Sequence, residues 1–215
     1  MRQKNSHTKT IQGLYVITDQ QLIATKKFES KVRQALAGGA RVVQYRDKSR
    51  HHQQRLDQAS MVVELCKEYE AVSIINDDIE LAKMVNADGV HLGADDAELN
   101  FARAELGQDK IIGVSCYADV AIAEQAVQDS ANYVAFGSIF PSPTKPQAPV
   151  AGIEVLLEAR KTLSVPIVAI GGISLDNLHH VLATNIDSVA IISGVFGNDD
   201  VTDAAKRFSN AFSKC

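Results

Sequence analysis

The sequence contains few cysteines and no basic run. Cys66, Cys116 and Cys215 are odd in number and show no CxxC spacing. This pattern indicates neither a disulfide framework nor a zinc site, so we interpret them as reduced thiols. Nucleic-acid binding depends on clustered Lys and Arg, whereas this chain has a formal net charge of −4. The composition therefore favours small-molecule chemistry without a nucleic-acid partner.

Long hydrophobic runs are also missing. The segment MRQKNSHTKTIQ, residues 1–12, is polar and has no apolar core of a signal peptide. No later run approaches the roughly 20 apolar residues that cross a bilayer. We therefore expect a cytosolic (cytoplasmic) protein with no membrane contact, in which residues 1–12 form a polar N-terminal extension.

Hydrophobic residues nevertheless make up 46% of the 215 residues, enough for the core of one domain. They occur in short runs rich in β-branched residues: GLYVITD, RVVQYRD, VSIIND, GVHLG, IIGVSC, YVAFGSI, PIVAIGG and SVAIISG. Continuous apolar runs are typical of strands buried on both faces of a parallel sheet. Apolar residues at helical spacing predict helices between them, over residues 28–38, 52–69, 78–86, 119–130, 152–163 and 175–184.

The order of these segments predicts eight repeats of strand and helix in residues 13–215. No linker rich in Pro, Gly or Ser divides this region. The pattern is typical of an α/β fold, a single-domain (β/α)8 TIM barrel. A doubly wound open sheet is the alternative, but it often has a Gly-rich turn after the first strand. Here that strand ends ITDQQ without GxGxxG.

Active sites of such barrels lie at the carboxyl ends of the strands, and two carboxylates mark these ends here. Asp77 ends the third strand and Asp96 lies just beyond the fourth. Mg²⁺ suits such a pair, because it prefers oxygen ligands and is typically held by one or two carboxylates plus phosphate oxygens. Either residue could instead be a helix N-cap, and spacing alone also admits Asp78 and Asp95 as ligands.

Basic residues follow the second and sixth strands. Arg46 and Lys48 leave the second strand, and Lys145 lies in the loop PSPTKP. With Mg²⁺ they could neutralise a diphosphate, Arg through a bidentate fork and Lys as a point charge. The alternative is that they only solvate the surface.

The ends of the seventh and eighth strands indicate a further site. In many barrels these two loops hold a phosphate through backbone N–H groups, and glycines permit its close approach. The segments AIGGIS, 169–174, and AIISG, 190–194, fit this pattern. The rim therefore predicts a metal-diphosphate site beside a monophosphate site, and hence a reaction between two phosphorylated substrates.

A set of motifs follows in order over nearly the whole chain past residue 12: GLYVITD, VVQYRDK, IIND, ADGVHLGADD, GVSC, FGSIFPSPTK, VAIGGIS and AIISG. With them the chain resembles the thiamine-phosphate synthase family. The resemblance implies a transferase of thiamine biosynthesis with one Mg²⁺ per active site. It would join hydroxymethylpyrimidine diphosphate to a thiazole phosphate and release diphosphate.

The resemblance also implies roles for individual residues. The pyrimidine diphosphate would be bound by Gln44, Tyr45, Arg46, Asp47, Lys48, Asn76, Ser115 and Lys145. The thiazole phosphate would lie against Ser142, Pro143, Thr144, Gly172, Ile192 and Ser193. Asp77 and Asp96 match the Mg²⁺ ligands, and the residues with a catalytic role would be Arg46, Lys48, Ser115 and Lys145. Tyr45 replaces a common Leu and Ser142 a frequent Thr, which affects fine specificity rather than the reaction.

The chemistry favours a dissociative step, because the aminopyrimidine ring can donate electrons to its methylene carbon as diphosphate leaves. The thiazole nitrogen has a free lone pair, so no general base is needed, in keeping with the lack of a Ser-His-Asp or Cys-His arrangement. His91 is expected to be packed or hydrogen-bonded near the barrel. Alternatives are a thiazole tautomerase of the same fold and a non-catalytic ligand-binding barrel. A homo-oligomer is compatible with the sequence.

Overall fold

Eight parallel strands form a closed barrel in the computed structural model, which describes residues 9–93, 99–141 and 149–212. The strands are β1 (Gly13–Ile17), β2 (Val42–Tyr45), β3 (Val72–Asn76), β4 (Gly89–Leu92), β5 (Ile111–Tyr117), β6 (Tyr133–Phe136), β7 (Ile167–Ile170) and β8 (Ser188–Ile191). They pair in chain order, and β8 closes on β1. The predicted (β/α)8 barrel is confirmed, and the open sheet is excluded.

Helices follow the strands and cover the barrel. Within the described residues they are α1 (Phe28–Ala37), α2 (His52–Glu68), α3 (Ile79–Met84), α4 (Leu99–Leu106), α5 (Val120–Gln128), α6 (Glu154–Thr162), α7 (Leu178–Leu182), α8 (Ser193–Phe196) and α9 (Val201–Phe212). The six helices predicted from the sequence are α1, α2, α3, α5, α6 and α7, and their bounds agree within a few residues. In the same part of the chain, no helix is long and apolar enough to cross a membrane.

Side chains alternate along each strand between the helix layer and the barrel interior. Leu14 and Val16 of β1 pack in the cluster shared with the helices, whereas Tyr15 and Ile17 belong to the interior cluster. Because helices cover the outside and side chains fill the inside, both faces of a strand are apolar. This double burial is the reason for the continuous apolar runs in the sequence.

An interior glycine makes room for a tyrosine that crosses the barrel. Gly113 lies on β5 beside Tyr133 of β6, with which it is paired in register. A β-carbon at Gly113 would overlap the Tyr133 ring, whose side chain is fully buried. The Tyr133 ring therefore fills the interior space that a side chain at position 113 would otherwise occupy.

In the part of the chain that the structure describes, the same type of hydrogen bond occurs three times at the amino-terminal rim of the barrel. Three side chains accept a hydrogen bond from a backbone N–H near the start of the preceding strand: Asp88 from Ser73, Asn132 from Ile112 and Asp187 from Ile167, each at 2.8 Å. A basic side chain binds each acceptor at 2.6–2.8 Å: Lys9, Arg103 and Arg160. Ile11, 3% exposed, packs into the interior cluster at the same rim, so residues 9–12 contact the barrel. The domain boundary at residue 13 stays a prediction.

We expect Gly113→Ala to lower the free energy of unfolding by about 1–3 kcal/mol, the usual cost of overpacking a filled core. Denaturant titration followed by circular dichroism measures this loss. A Tyr133→Leu background provides the control, because the smaller side chain leaves space for the added methyl group. An equal cost in both backgrounds would contradict the steric role of Gly113.

Candidate active site

The end of β2 divides its side chains between two environments. Gln44 is buried in the interior, where its Nε2 donates to Tyr15 Oη at 2.7 Å. Tyr45 faces the helix layer, packs edge-on against Phe28 with ring centroids 5.9 Å apart, and donates to Gln58 Oε1 at 3.1 Å. Its side chain thus lies on the opposite side of the strand from that of Gln44.

The two residues after β2 line a rim cavity of about 420 Å³. The Arg46 backbone N–H donates to Thr18 Oγ1 at 2.9 Å, which joins the ends of β1 and β2. Asp47 Oδ1 accepts from the Ser49 N–H at 2.7 Å and so shapes the loop after it. This side of the rim is held by backbone contacts, and the Arg46 side chain is partly exposed beside the cavity.

Asp77 lies in the turn between β3 and α3 and contacts two other predicted site residues. Its Oδ2 accepts from Asn76 Nδ2 at 2.5 Å and lies 3.2 Å from Lys48 Nζ. The backbone of Asp77 is left-handed, with φ 62°, and its N–H donates to the His91 carbonyl at 2.9 Å. The structure therefore brings Lys48, Asn76 and Asp77 together at the carboxyl ends of β2 and β3.

The neighbouring carboxylate, Asp78, has a different set of contacts. Its Oδ1 accepts from the Leu81 N–H at 2.9 Å, which makes it the N-cap of α3. Its Oδ2 lies 2.6 Å from Arg55 Nη2. The cap that spacing allowed at Asp77 therefore lies at Asp78, and an arginine engages the second oxygen of Asp78.

Several predicted site residues lie outside the described residues: Asp95, Asp96, Ser142, Pro143, Thr144 and Lys145. Their roles stay predictions. In the described part of the chain, no group of three or more His, Cys, Asp or Glu side chains could hold a metal ion. The predicted site needs two carboxylates, and Asp77 is the one that the structure describes.

The ends of β7 and β8 contain the remaining predicted thiazole-phosphate residues. Gly172 has φ 65°, and a β-carbon there would lie 2.5 Å from the carbonyl oxygens of Phe140 and Pro141. Glycine is thus needed both for its backbone conformation and for the close approach of the loop after β6. Ile192 packs against the interior cluster, and Ser193 is exposed at the start of α8. The two loops follow strands that are paired in the sheet.

A chain of hydrogen bonds crosses the barrel interior beneath the rim. Gln44 donates to Tyr15, and the hydroxyls of Tyr15 and Tyr133 are 3.0 Å apart. His91 joins Tyr133 Oη through Nδ1 and Ser115 Oγ through Nε2, both at 2.9 Å. The prediction that His91 is packed and hydrogen-bonded is confirmed. The chain links two predicted pyrimidine-site residues, Gln44 and Ser115.

The two tyrosines in this chain were missed by the sequence analysis. Burial raises the pKa of Tyr15 and of Tyr133 above the usual tyrosine value, so both remain neutral phenols that can donate a proton in a hydrogen bond. The signal was their place in aliphatic strands, Tyr15 in the middle of β1 and Tyr133 at the start of β6, since a buried tyrosine hydroxyl usually needs a partner. The interior thus has a polar floor inside apolar walls.

The two cysteine thiols in the described part of the chain are buried and unreactive in character. Cys116 follows Ser115 but faces the helix layer, where burial raises its pKa to about 12. Cys66 is also buried, and burial raises its pKa to about 12. A thiolate is the nucleophilic form of cysteine, so neither side chain is suited to covalent catalysis at neutral pH.

Comparison with known proteins gives a consistent result. The family model described as thiamine monophosphate synthase matches residues 14–195. A thiamine-phosphate synthase of Acidithiobacillus ferrooxidans is 47% identical over 205 residues, with 94% of each chain covered. Another, of Methylobacillus flagellatus, is 46% identical over 202 residues, with 94% of this chain and 96% of the relative covered.

Among solved structures, thiamine phosphate pyrophosphorylase from Pyrococcus furiosus superposes with a TM-score of 0.87 at 36% identity, and 98% of each chain is covered. The similarity therefore includes the whole barrel as well as the order of the sequence motifs. The family model spans residues 14–195 and the relatives cover 94% of the chain, so the chain belongs to the thiamine monophosphate synthase family.

Proposed function

We propose that the carboxyl rim of this barrel is the place where the chain carries out the reaction of its family. In that reaction, hydroxymethylpyrimidine diphosphate and thiazole phosphate condense to thiamine phosphate with release of diphosphate. The observation that carries the proposal is the group of Lys48, Asn76 and Asp77, which lies above the interior hydrogen-bond chain. The charged rim matches the diphosphate end of a pyrimidine diphosphate, and the polar hydrogen-bond chain in the interior matches its ring.

The diphosphate is proposed to bind at the charged rim. Arg46 and Lys48 follow β2, and Lys48 is 57% exposed, so its ammonium group can reach a ligand above the barrel. Arg46 can bind phosphate oxygens through its fork of N–H groups, whereas Lys48 acts as a point charge. Asn76 would add a neutral donor, and Lys145 a further positive charge. The proposed site residues thus supply positive charge where the leaving group gains negative charge.

Mg²⁺ is proposed as the metal, because the donor set consists of hard oxygen ligands. Asp77 supplies a carboxylate and Asn76 an amide beside it, and neither sulfur nor imidazole is part of the set. Asp77 is not a helix cap, so its carboxylate is not committed to backbone N–H groups. Asp77 and Asp96 would hold the ion, which when bound would neutralise charge on the diphosphate.

The pyrimidine ring is proposed to lie on the interior chain. Gln44 and Ser115 end this chain, and both point inward from strands on opposite sides of the β3–β4 pair. Amide and hydroxyl groups can both donate and accept, which suits a ring that has acceptor nitrogens and a donor amino group. Tyr45 and Asp47 would support the site without contacting the ring, because Tyr45 faces the helix layer and Asp47 shapes the loop after β2.

The chemical step needs charge stabilisation rather than proton transfer. The bond between the methylene carbon and the diphosphate oxygen breaks, and its electron pair leaves with the diphosphate. Donation from the aminopyrimidine ring stabilises the resulting cation until the thiazole nitrogen forms the new C–N bond with its lone pair. Arg46, Lys48 and Lys145 would stabilise the departing charge from fixed positions. The reaction thus proceeds without a general base.

The thiazole phosphate is proposed to lie across the ends of β6, β7 and β8. Gly172 keeps the loop after β6 close to the loop after β7, and Ser193 offers an exposed hydroxyl at the start of α8. Ile192 would contact the thiazole ring, while Ser142, Pro143 and Thr144 would line the other side. The cytosolic location and a homo-oligomer also remain proposals.

One assay tests the function as a whole. The protein is mixed with hydroxymethylpyrimidine diphosphate, thiazole phosphate and Mg²⁺, and diphosphate release is followed. We expect release that depends on both organic substrates and on the metal. A tautomerase or a non-catalytic barrel would release no diphosphate under these conditions.

Asp77→Asn and Asp96→Asn are each expected to lose most activity and to need more Mg²⁺, because each removes charge that the ion requires. The double variant should be little worse than either single variant, since a broken site has little left to lose. Diphosphate release against Mg²⁺ concentration measures both effects. Asp119→Asn is the control: Asp119 caps α5, and Asn caps about as well. Additive small losses with unshifted Mg²⁺ dependence would contradict the metal site.

We expect Lys145→Ala to lower kcat by roughly a hundred- to a thousandfold, the range typical for loss of one electrostatic stabiliser of the transition state. Steady-state kinetics and thermal unfolding should separate this effect from a loss of stability. Lys83→Ala serves as a control, because Lys83 pairs with Glu105 on the helix layer. Normal turnover of Lys145→Ala would exclude it from the leaving-group site.

Ser193→Asp is expected to raise the KM for thiazole phosphate while sparing diphosphate binding, because the new carboxylate repels the phosphate. Ser193→Asn is the neutral control of similar size. This substitution is cleaner than Gly172→Val, since any β-carbon at Gly172 also presses on the Phe140–Pro141 backbone. An unchanged KM for thiazole phosphate in Ser193→Asp would mean that the phosphate does not bind at Ser193.

A further inference from the structure

Arg55 connects helix α2 to the turn that contains Asp77. Its Nη2 lies 2.6 Å from Asp78 Oδ2, and the two side chains are 18% and 31% exposed. Among the described residues, Arg55 Nε is buried without a hydrogen-bond partner. Such a pair is weak evidence for stability, because burying charge and an unpaired N–H costs free energy. Its position beside Asp77 suggests a different use.

The turn that presents Asp77 is strained and must be held by its surroundings. A left-handed backbone at a residue other than glycine costs about 1–3 kcal/mol. Three contacts oppose relaxation: the Asp77 N–H with the His91 carbonyl at 2.9 Å, the Asp78 N–H with the Asn76 carbonyl at 2.7 Å, and the cap of Asp78 on Leu81. The direction of the Asp77 side chain therefore depends on where Asp78 is fixed.

Arg55 completes the fixation of Asp78. One carboxylate oxygen of Asp78 caps α3, and the other is engaged by the guanidinium group. Without Arg55, the second oxygen would be an uncompensated charge next to Asp77. The cap and the left-handed turn would then lose a constraint, and the direction of the Asp77 carboxylate would no longer be fixed.

We propose that Arg55 is a positioning residue for the metal-binding turn: by engaging Asp78, it keeps Asp77 as the carboxylate directed at the cation. This inference rests on the proposed role of Asp77 as a Mg²⁺ ligand. Arg55 acts through Asp78 and touches neither substrate nor metal. Outer contacts of this kind typically change metal affinity or activity by roughly ten- to a hundredfold.

The sign of the effect separates positioning from simple electrostatics. A positive side chain near a cation site repels the cation, so its removal alone should strengthen metal binding. If Arg55 instead positions the ligand, its removal should weaken metal binding. A role confined to stability should change unfolding but leave the metal dependence as it is.

The test is calorimetric titration of the whole protein with inorganic diphosphate at a series of Mg²⁺ concentrations. For Arg55→Met we expect the Mg²⁺ requirement to rise roughly ten- to a hundredfold, with little change in the KM for thiazole phosphate. Arg55→Lys keeps the charge but loses the planar fork, so positioning predicts a smaller shift in the same direction and electrostatics predicts none. This variant decides the question even if Arg55→Met does not fold.

Two further variants complete the design. Asp78→Ser keeps a capping residue but removes the partner of Arg55. Combined with Arg55→Met it removes one charge of each sign, so simple electrostatics predicts a Mg²⁺ requirement near that of the wild type, whereas positioning predicts the same shift as in Arg55→Met alone. Arg160→Met is the matched control, since Arg160 makes a similar pair with Asp187 at 2.8 Å at the other rim. It should lower stability without altering the Mg²⁺ requirement.

An unchanged or lower Mg²⁺ requirement in both Arg55 variants would overturn the proposal. Failure of the inference can be told from failure of the proposed function. If Asp77→Asn shifts the Mg²⁺ dependence and the Arg55 variants do not, only the role of Arg55 is wrong. If Asp77→Asn has the same Mg²⁺ dependence as the wild type, Asp77 is not a metal ligand, and the proposed role of Arg55 fails with it.

Discussion

Closure of the sheet is the constraint on which the other features depend. Because β8 pairs with β1, every strand has one row of side chains inside and one row outside. Adjacent residues of a strand therefore lie in different environments, because successive side chains point alternately into the barrel and toward the helices. At the end of β2 this separates Gln44, on the polar floor, from Tyr45, among the helices. Closure also gathers all eight carboxyl ends at one rim, where a site can form from distant parts of the chain.

Most of the fold could be predicted because double burial leaves a clear mark in the sequence. Continuous β-branched runs indicated each strand, and their number and order indicated the barrel. Helix α8 was harder, since four residues are too few for a helical period. The predicted polar extension shows another limit: Ile11 packs inside the barrel although its neighbours in sequence are polar. One apolar residue in a polar segment gives no periodic signal.

The candidate site was predictable where position in the chain decides position in space. Lys48, Asn76 and Asp77 lie at or just after the carboxyl ends of two neighbouring strands, and the structure brings them together. The choice of helix cap between two adjacent aspartates was not predictable, because spacing allows either one; the structure places the cap at Asp78. The interior chain was not predictable either. Its bonds join residues up to 118 positions apart, and nothing local in the sequence marks the pairing of Tyr15 with Tyr133.

The repeated contacts at the amino-terminal rim have a consequence for how this barrel can change. Asp88, Asn132 and Asp187 tie the starts of β3, β5 and β7 to the loops that precede β4, β6 and β8. Each tie joins a strand to the next one in the chain, so consecutive strand pairs form similar units. An insertion or an exchanged loop at the opposite rim leaves these ties intact. The barrel can therefore acquire new specificity at one end by recombination of loops while the other end preserves its architecture.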